Sequence, residues 1–282
     1  MSEAGLESTL STFTASDGDN LAVQDWRLPD AVRPRATVLL VHGLGEHAGR
    51  YDTLARTLNG WGFAVRGYDQ YGHGDSGGVR GALPQGGRLV ADLADLTESV
   101  RNRYPGVPVV LLGHSLGGLV AASFVARALL PVEGLVLSSP ALAIRLNPVQ
   151  KMLMAVVPRL APNLTVPNGV NPAYLSHDPA VVEAYRGDPR VHDRISGRLA
   201  RFMADEGAVV CARAPNWQVP TLLLYAGADQ VVDPAGSRAF AQAAPPQVVT
   251  TRCFPALYHE IFNELQAQPV VDALREWLDA RF

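Results

Sequence analysis

The sequence predicts an α/β fold: a single core whose sheet is mostly parallel, interrupted by one helical insertion. Three observations carry this. Short runs of β-branched and aliphatic residues alternate with helix-length segments, the alternation stops over 141–215, and it then resumes to the end of the chain. A strand returned to the same sheet through a helix gives a right-handed crossover and a parallel neighbour. The 282 residues, 48% hydrophobic and 18% charged, match a globular chain, and a domain of this length buries about three-quarters of its unfolded surface.

Two alternating stretches, 11–15 and 21–28, flank Asp17-Gly18-Asp19-Asn20, the composition of a hairpin turn, so the chain opens on an antiparallel pair. Thr37-Val38-Leu39-Leu40-Val41 is continuous and apolar, as expected of a strand covered on both faces, and ends at His42-Gly43. A helix over about 51–60 leads to a strand at 63–68, a helix over about 87–104 to a strand at 107–112, and a helix from 116 to about 130 to a strand at 134–137. From 141 to 215 the segment is helix-like and broken by Pro148, Pro158, Pro162, Pro167, Pro172, Pro179 and Pro189. Strands return at 220–226 and 248–254, and a helix over 269–281 closes the chain. The expected division is therefore a core of 1–140 and 216–282 with a cap over 141–215.

Charge and composition exclude several functions. Lys and Arg total 24 against 27 Asp and Glu, a formal charge of −3, whereas a protein that neutralises phosphates needs a basic surplus. No nucleic acid is expected as a partner. Cys211 and Cys253 are too few for a disulfide framework and have no second cysteine at metal-ligand spacing. The first residues, Met1 to Glu7, are acidic where a secretory leader would be basic and then apolar, and the expected compartment is the cytoplasm. Glu133, Arg145 and Lys151 break the longest apolar runs below the ~20 residues of a membrane span.

The chemistry centres on Gly113-His114-Ser115-Leu116-Gly117, which follows the strand Val109 to Leu112 and opens a small-residue helix. In G-x-S-x-G between strand and helix, the tight turn strains the serine and exposes its hydroxyl, making Ser115 the expected nucleophile. A serine hydroxyl needs a general base, itself oriented by a carboxylate. In this arrangement acid and base follow the serine in chain order, the acid after a late strand and the histidine before the last helix. Strand 220–226 runs into Gly227-Ala228-Asp229-Gln230-Val231-Val232-Asp233. Asp229 leaves the strand end directly and is the expected acid, whereas Asp233 precedes Pro234 and reads as a helix N-cap. His259 is the only histidine in the last third of the chain and is the expected base. The developing oxyanion needs donors worth about 3–4 kcal/mol each. The backbone N–H of Leu116 supplies one, and Leu44, in His42-Gly43-Leu44-Gly45, the other.

The remaining histidines have ordinary readings. His177 and His192 are expected at the surface or at hinges of the insertion, and His73 orders a loop. His42 and His47 flank Glu46, but Gly43 and Gly45 preclude a helix presenting them together, so no metal is expected.

These blocks resemble the monoacylglycerol lipases of the α/β-hydrolase superfamily: residues 42–51 (H-G-L-G-E-H-A-G-R-Y), residues 69–76, Gly113 to Gly118, Asp229 with its flanks, and Tyr258-His259-Glu260. The resemblance is weakest in the insertion. It implies the α/β-hydrolase fold with an eight-stranded, mostly parallel sheet, a lid made by the insertion, and no cofactor. It assigns nucleophile, acid and base to the positions of Ser115, Asp229 and His259, and oxyanion donors to Leu44 and Leu116. It also places Glu46, Arg50, His114 and Tyr185 near the head-group end of the pocket. One position departs: where mammalian members carry a second histidine three residues past the base, this chain has Phe262, which cannot make that residue's glycerol contact.

The expected activity is hydrolysis of carboxylic esters, with a monoacylglycerol as substrate. A lysophospholipase or general carboxylesterase would use the same residues. An aspartate at the elbow would mark dehalogenase or epoxide-opening chemistry, and Ser115 argues against it. A non-catalytic binding protein of this fold would show a damaged triad. In the insertion Val149, Met152, Leu153, Val156, Val157 and Leu160 recur at three- and four-residue steps. Such a stripe serves core packing, lines an acyl tunnel, or gives a lid transient contact with a membrane surface.

Overall fold

The computed structural model describes residues 7–145 and 160–282. Ten strands and seven helices are used here, numbered in chain order: β1 Thr9–Thr14, β2 Asn20–Trp26, β3 Thr37–Val41, α1 Asp52–Gly60, β4 Ala64–Tyr68, α2 Arg88–Arg103, β5 Val109–His114, α3 Leu116–Ala126, β6 Gly134–Ser138, β7 Thr165–Pro167, α4 Pro179–Gly187, β8 Arg194–Ser196, α5 Gly197–Arg213, β9 Thr221–Ala226, α6 Pro234–Ala243, β10 Val249–Phe254 and α7 Gln268–Asp279. Eight of these strands form one sheet in the order β1-β2-β4-β3-β5-β6-β9-β10. β1 and β4 run antiparallel to β2, and every pairing from β4 to β10 is parallel.

The parallel strands are apolar throughout because helices cover both faces, and period-two alternation sorts their side chains. Leu39, Val41, Val109 and Leu111 join the core under α2, α3, α5 and α6, while Val38, Leu40, Val110 and Leu112 join the core under α1 and α7. All eight are at most 1% exposed, and each contributes about 1.5–3 kcal/mol over an exposed counterpart. Helix α3 is buried over nearly its full length, which its small residues permit at the centre of the sheet.

Between β6 and β9 the chain leaves the sheet. The expected cap of 141–215 divides there into two parts of different character. Leu199, Phe202, Met203 and Val210 of α5 belong to the core on the α3 face, and Glu206 of α5 accepts from Ser123 Oγ at 2.9 Å and from Arg127 at 2.5 Å. Helix α5 is thus a layer of the core, because its apolar residues recur at three- and four-residue steps facing α3. Residues 160–196 instead dock on the loops at the carboxyl ends of the strands, through His192 N–H to Gly45 O at 2.8 Å and Ser196 N–H to Gly81 O at 2.7 Å. This segment contains the antiparallel pair β7–β8, where only helix was expected. Its strands are three residues long, too short for alternation to register. The stripe expected over 149–160 lies outside the described residues except for Leu160, which is 80% exposed. Among the described residues no helix is long and apolar enough to cross a membrane.

Candidate active site

β5 stops at His114 and α3 starts at Leu116, so Ser115 alone makes the turn. Its φ of 53° and ψ of −117° are sparsely populated for a residue with a side chain. Neighbouring bonds hold it there: Ser115 N–H donates to Ser138 O at 3.0 Å, and Ser115 O accepts from Leu119 and Ala141 N–H at 3.1 and 3.0 Å. A side chain at Gly117 would collide with the carbonyls of Val41 and His42, so the elbow closes only with glycine there.

The other expected triad members meet each other. His259 Nδ1 lies 2.7 Å from Asp229 Oδ2, and Asp229 Oδ1 accepts from Val231 and Val232 N–H at 2.8 and 3.0 Å. Asp229 is 1% exposed and His259 3%. Burial disfavours the charged form of each, but their mutual charge and hydrogen bond outweigh it. The Asp229 carboxyl is held below its usual range, and the His259 imidazole is raised above its usual value. The ring of His114 lies 4.7 Å from that of His259 at 52°. Burial, followed by the charge on His259, lowers His114 to about 4. Asp233 does what its position before Pro234 predicts: its side chain accepts from Ala235 N–H at 3.0 Å as the N-cap of α6.

The loop after β3 approaches Ser115 closely. A Cβ on Gly43 would stand 3.3 Å from Ser115 Cβ and 2.8 Å from Glu46 Oε1. Glu46 Oε1 accepts from Gly43 N–H at 2.5 Å and from Tyr51 O–H at 2.6 Å. With the Gly43 donor engaged, Leu44 N–H is the next one along this loop, while Leu116 N–H heads α3 where no intrahelical acceptor exists. His42 fixes the loop from below, Nδ1 toward Gly43 O at 2.7 Å and Nε2 accepting from Gln70 N–H at 2.9 Å. Both contacts fit the neutral imidazole, and burial lowers its pKa accordingly. His47 turns elsewhere, with Nε2 2.8 Å from Asp188 Oδ2 of the segment over the loop.

Glu46, Arg50 and Tyr185 come together as a polar wall. Arg50 donates to Glu46 Oε2 at 2.5 Å and lies over the Tyr185 ring at 4.8 Å. Burial alone would raise Glu46, but the charges of Arg50, His114 and His42 bring it down to about 2. Residues with no expected role complete this wall. Tyr51 shares Glu46 Oε1, and Glu260 grips Arg50 from the histidine loop at 2.7 and 2.9 Å. Buried Glu264 accepts from Tyr258 N–H at 2.6 Å and His177 N–H at 3.0 Å, with His177 Nδ1 2.8 Å away. His177 is exposed as expected, yet its ring stacks on Tyr258 at 3.6 Å. The sequence offered one signal for Glu260, its place beside His259. Phe262 packs against the core. A cavity of about 710 Å³ opens between the cap segment and Arg80, lined by Asn168, Tyr185, His192 and Arg194, and shares Tyr185 with the Arg50 cluster.

A parallel sheet with a strained serine at the β5–α3 elbow and a histidine–aspartate pair on later loops defines an α/β-hydrolase of the serine type. Comparisons with known proteins agree. The family described as serine aminopeptidase, S33, matches residues 32–266. A monoacylglycerol lipase of Mycolicibacterium smegmatis is 34% identical over 95% of both chains, and the human monoglyceride lipase 32% identical over 94% of this chain and 89% of that one. The crystal structure of a Paleococcus ferrophilus monoacylglycerol lipase superposes with a TM-score of 0.81 at 34% identity, covering 98% of this chain and all of that one. The chain also matches 29% of a longer, uncharacterized abhydrolase domain-containing protein of Dictyostelium discoideum. The chain belongs to the monoacylglycerol lipase family, and it is a carboxylic ester hydrolase.

Proposed function

We propose that this chain hydrolyses monoacylglycerols to fatty acid and glycerol, with Ser115, His259 and Asp229 as its triad. The observation that carries the reading is the buried His259–Asp229 pair at 2.7 Å, with the His259 ring 4.7 Å from that of His114, the residue before the strained Ser115, beside the polar wall of Glu46, Arg50 and Tyr185. The names of the relatives support the substrate class. Ser115 Oγ attacks the ester carbonyl as His259 takes its proton, and the oxyanion collects the N–H groups of Leu44 and Leu116. The imidazolium, held by Asp229, protonates the leaving alkoxide, and water repeats the cycle on the acyl-enzyme. The polar wall faces the hydroxylated head group, and segment 160–196 belongs to the cap, which takes the acyl chain and meets lipid transiently. The experiment is a fluorophosphonate probe on Ser115 followed by hydrolysis of a monoacylglycerol series beside lysophosphatidylcholine. Labelling with preference for the monoacylglycerols is expected, and a preference for the lysophospholipid would move the chain to that class.

A further inference from the structure

Glu260 follows His259 in the chain, yet its carboxylate is committed across the site. Nη1 and Nη2 of Arg50 donate to it, at 2.7 and 2.9 Å, and Asn263 Nδ2 adds a bond at 2.8 Å. Its backbone N–H is also fixed, by Leu175 O of the cap segment at 2.8 Å. The same Arg50 Nη1 bonds Glu46 Oε2, and Glu46 Oε1 holds Gly43 N–H. One continuous run of hydrogen bonds, most of them charge-assisted, therefore joins the loop of His259 to the loop of Leu44. The side chains of Glu46, Arg50 and Glu260 are 5, 11 and 5% exposed. Two carboxylates buried this deeply are costly unless a cation pairs with both, and Arg50 is that cation. A bidentate arginine–carboxylate contact fixes plane as well as distance, so it sets the spacing of the two loops more narrowly than a single bond does.

We propose that Glu260 is a positioning residue for ester hydrolysis: through Arg50, Glu46 and the bound Gly43 N–H it holds the Leu44 donor in register with His259. The inference rests on the triad reading above. It requires that the loss of Glu260 act on the chemical step rather than on substrate capture. Its charge also acts on the base. His259 is faced by Asp229 from the loop after β9, by His114 from β5, and by the two carboxylates that Arg50 pairs, Glu46 from the loop after β3 and Glu260 in its own loop. Glu260 is among the charges that raise the imidazole, after Asp229.

The test uses the full chain and two variants. Glu260→Gln removes the charge and one acceptor, whereas Glu260→Asp keeps the charge but falls one methylene short of the bidentate grip. Both are expected to lower kcat, roughly 10²-fold for a displacement near 1 Å between reacting groups, with KM changed only a few-fold. In Glu260→Gln the acid limb of kcat/KM is expected to move to lower pH, because an imidazolium with one anion fewer beside it loses its proton more readily. In Glu260→Asp the limb stays where it is. A folded Glu260→Gln with wild-type kcat and acid limb overturns the proposal, and a loss confined to KM makes Glu260 a substrate contact instead. Failure of both variants to fold reduces the pair to a stability element and overturns positioning. Absence of fluorophosphonate labelling at Ser115 in the wild-type protein would reject the triad reading itself, independently of either variant.

Discussion

On one side of Ser115 the site is made of backbone; on the other it is made of charged side chains gathered from distant segments. The elbow depends on strand β5, helix α3 and a glycine where a Cβ cannot fit, and Asp229 is held by two N–H groups from its own loop. The polar wall joins Glu46 and Arg50 to Glu260, 210 residues further along, and to Tyr185 of the cap segment. Backbone geometry tolerates little change and carries the reaction. Side-chain networks are adjustable, and the structure uses one to set the spacing between parts that the backbone has already shaped.

The largest effects should therefore fall on the backbone side. Ser115→Ala is expected to lower kcat by roughly 10⁶-fold and at least ~10³-fold while the protein stays folded, since the acyl-enzyme cannot form. Burst kinetics with a melting curve check this, and wild-type turnover in the folded variant would break the assignment. Asp229→Asn is expected to cost roughly 10⁴-fold in kcat, because an amide cannot hold His259 in the tautomer that accepts the serine proton. The same imbalance sets the pH profile. His259 is raised by Asp229 against its own burial, so kcat/KM should fall as pH drops through a value above the ordinary imidazole range, when the base becomes protonated. Rate measurements between pH 5 and 9 locate that limb, and a limb below the ordinary range would mean that the Asp229 contact is not governing the base.

This contrast also explains what the sequence made legible. The Ser115 elbow and the Asp229–His259 contact are readable because strand ends and glycines punctuate the chain locally, and the order of strands and helices follows from apolar runs. Glu260, Tyr51 and Glu264 are not, because their roles are defined by partners that the fold brings together: Arg50 lies 210 residues from Glu260, and His177 87 residues from Glu264. The proline-broken pattern groups helix α5 with the cap, but its docking on α3 depends on the face it turns, not on where the prolines fall. The β7–β8 pair is held by the cap segment's docking on the loops around Gly45 and Gly81, a tertiary cause with no local signature.

The cap side should respond by smaller steps. If an apolar surface takes the acyl chain, each added methylene contributes about 0.8 kcal/mol, roughly a fourfold rise in kcat/KM, until the tunnel is full. A monoacylglycerol series kept below micelle formation measures this, and a maximum at acetate or propionate esters would replace the lipase with a short-chain esterase. Glu264→Gln should cost about 1–3 kcal/mol by weakening a buried acceptor shared by Tyr258 and His177. Denaturant unfolding reads that loss, and an unchanged midpoint would show that the clamp contributes nothing to stability.

Asp233 provides the smallest effect and the sharpest control, since it is a second carboxylate four positions from Asp229 on the same loop. Its side chain accepts from Ala235 N–H at 3.0 Å, with Pro234 as the first residue of α6, whereas Asp229 Oδ2 lies 2.7 Å from the His259 ring. Asp233→Ala removes one helix cap and should cost about 1 kcal/mol. In a chain of this size that corresponds to roughly 2 °C in Tm. Its kcat should stay at the wild-type value, because the group touches α6 and not the imidazole. Asparagine would be a poor choice at this position, since it caps a helix nearly as well as aspartate and would leave both readouts unmoved. Thermal melts and steady-state rates on Asp233→Ala and Asp229→Asn, measured side by side, separate the two carboxylates. A collapse of kcat in Asp233→Ala with activity retained in Asp229→Asn would reverse their roles, and with them the claim that the acid is held by its own loop's backbone.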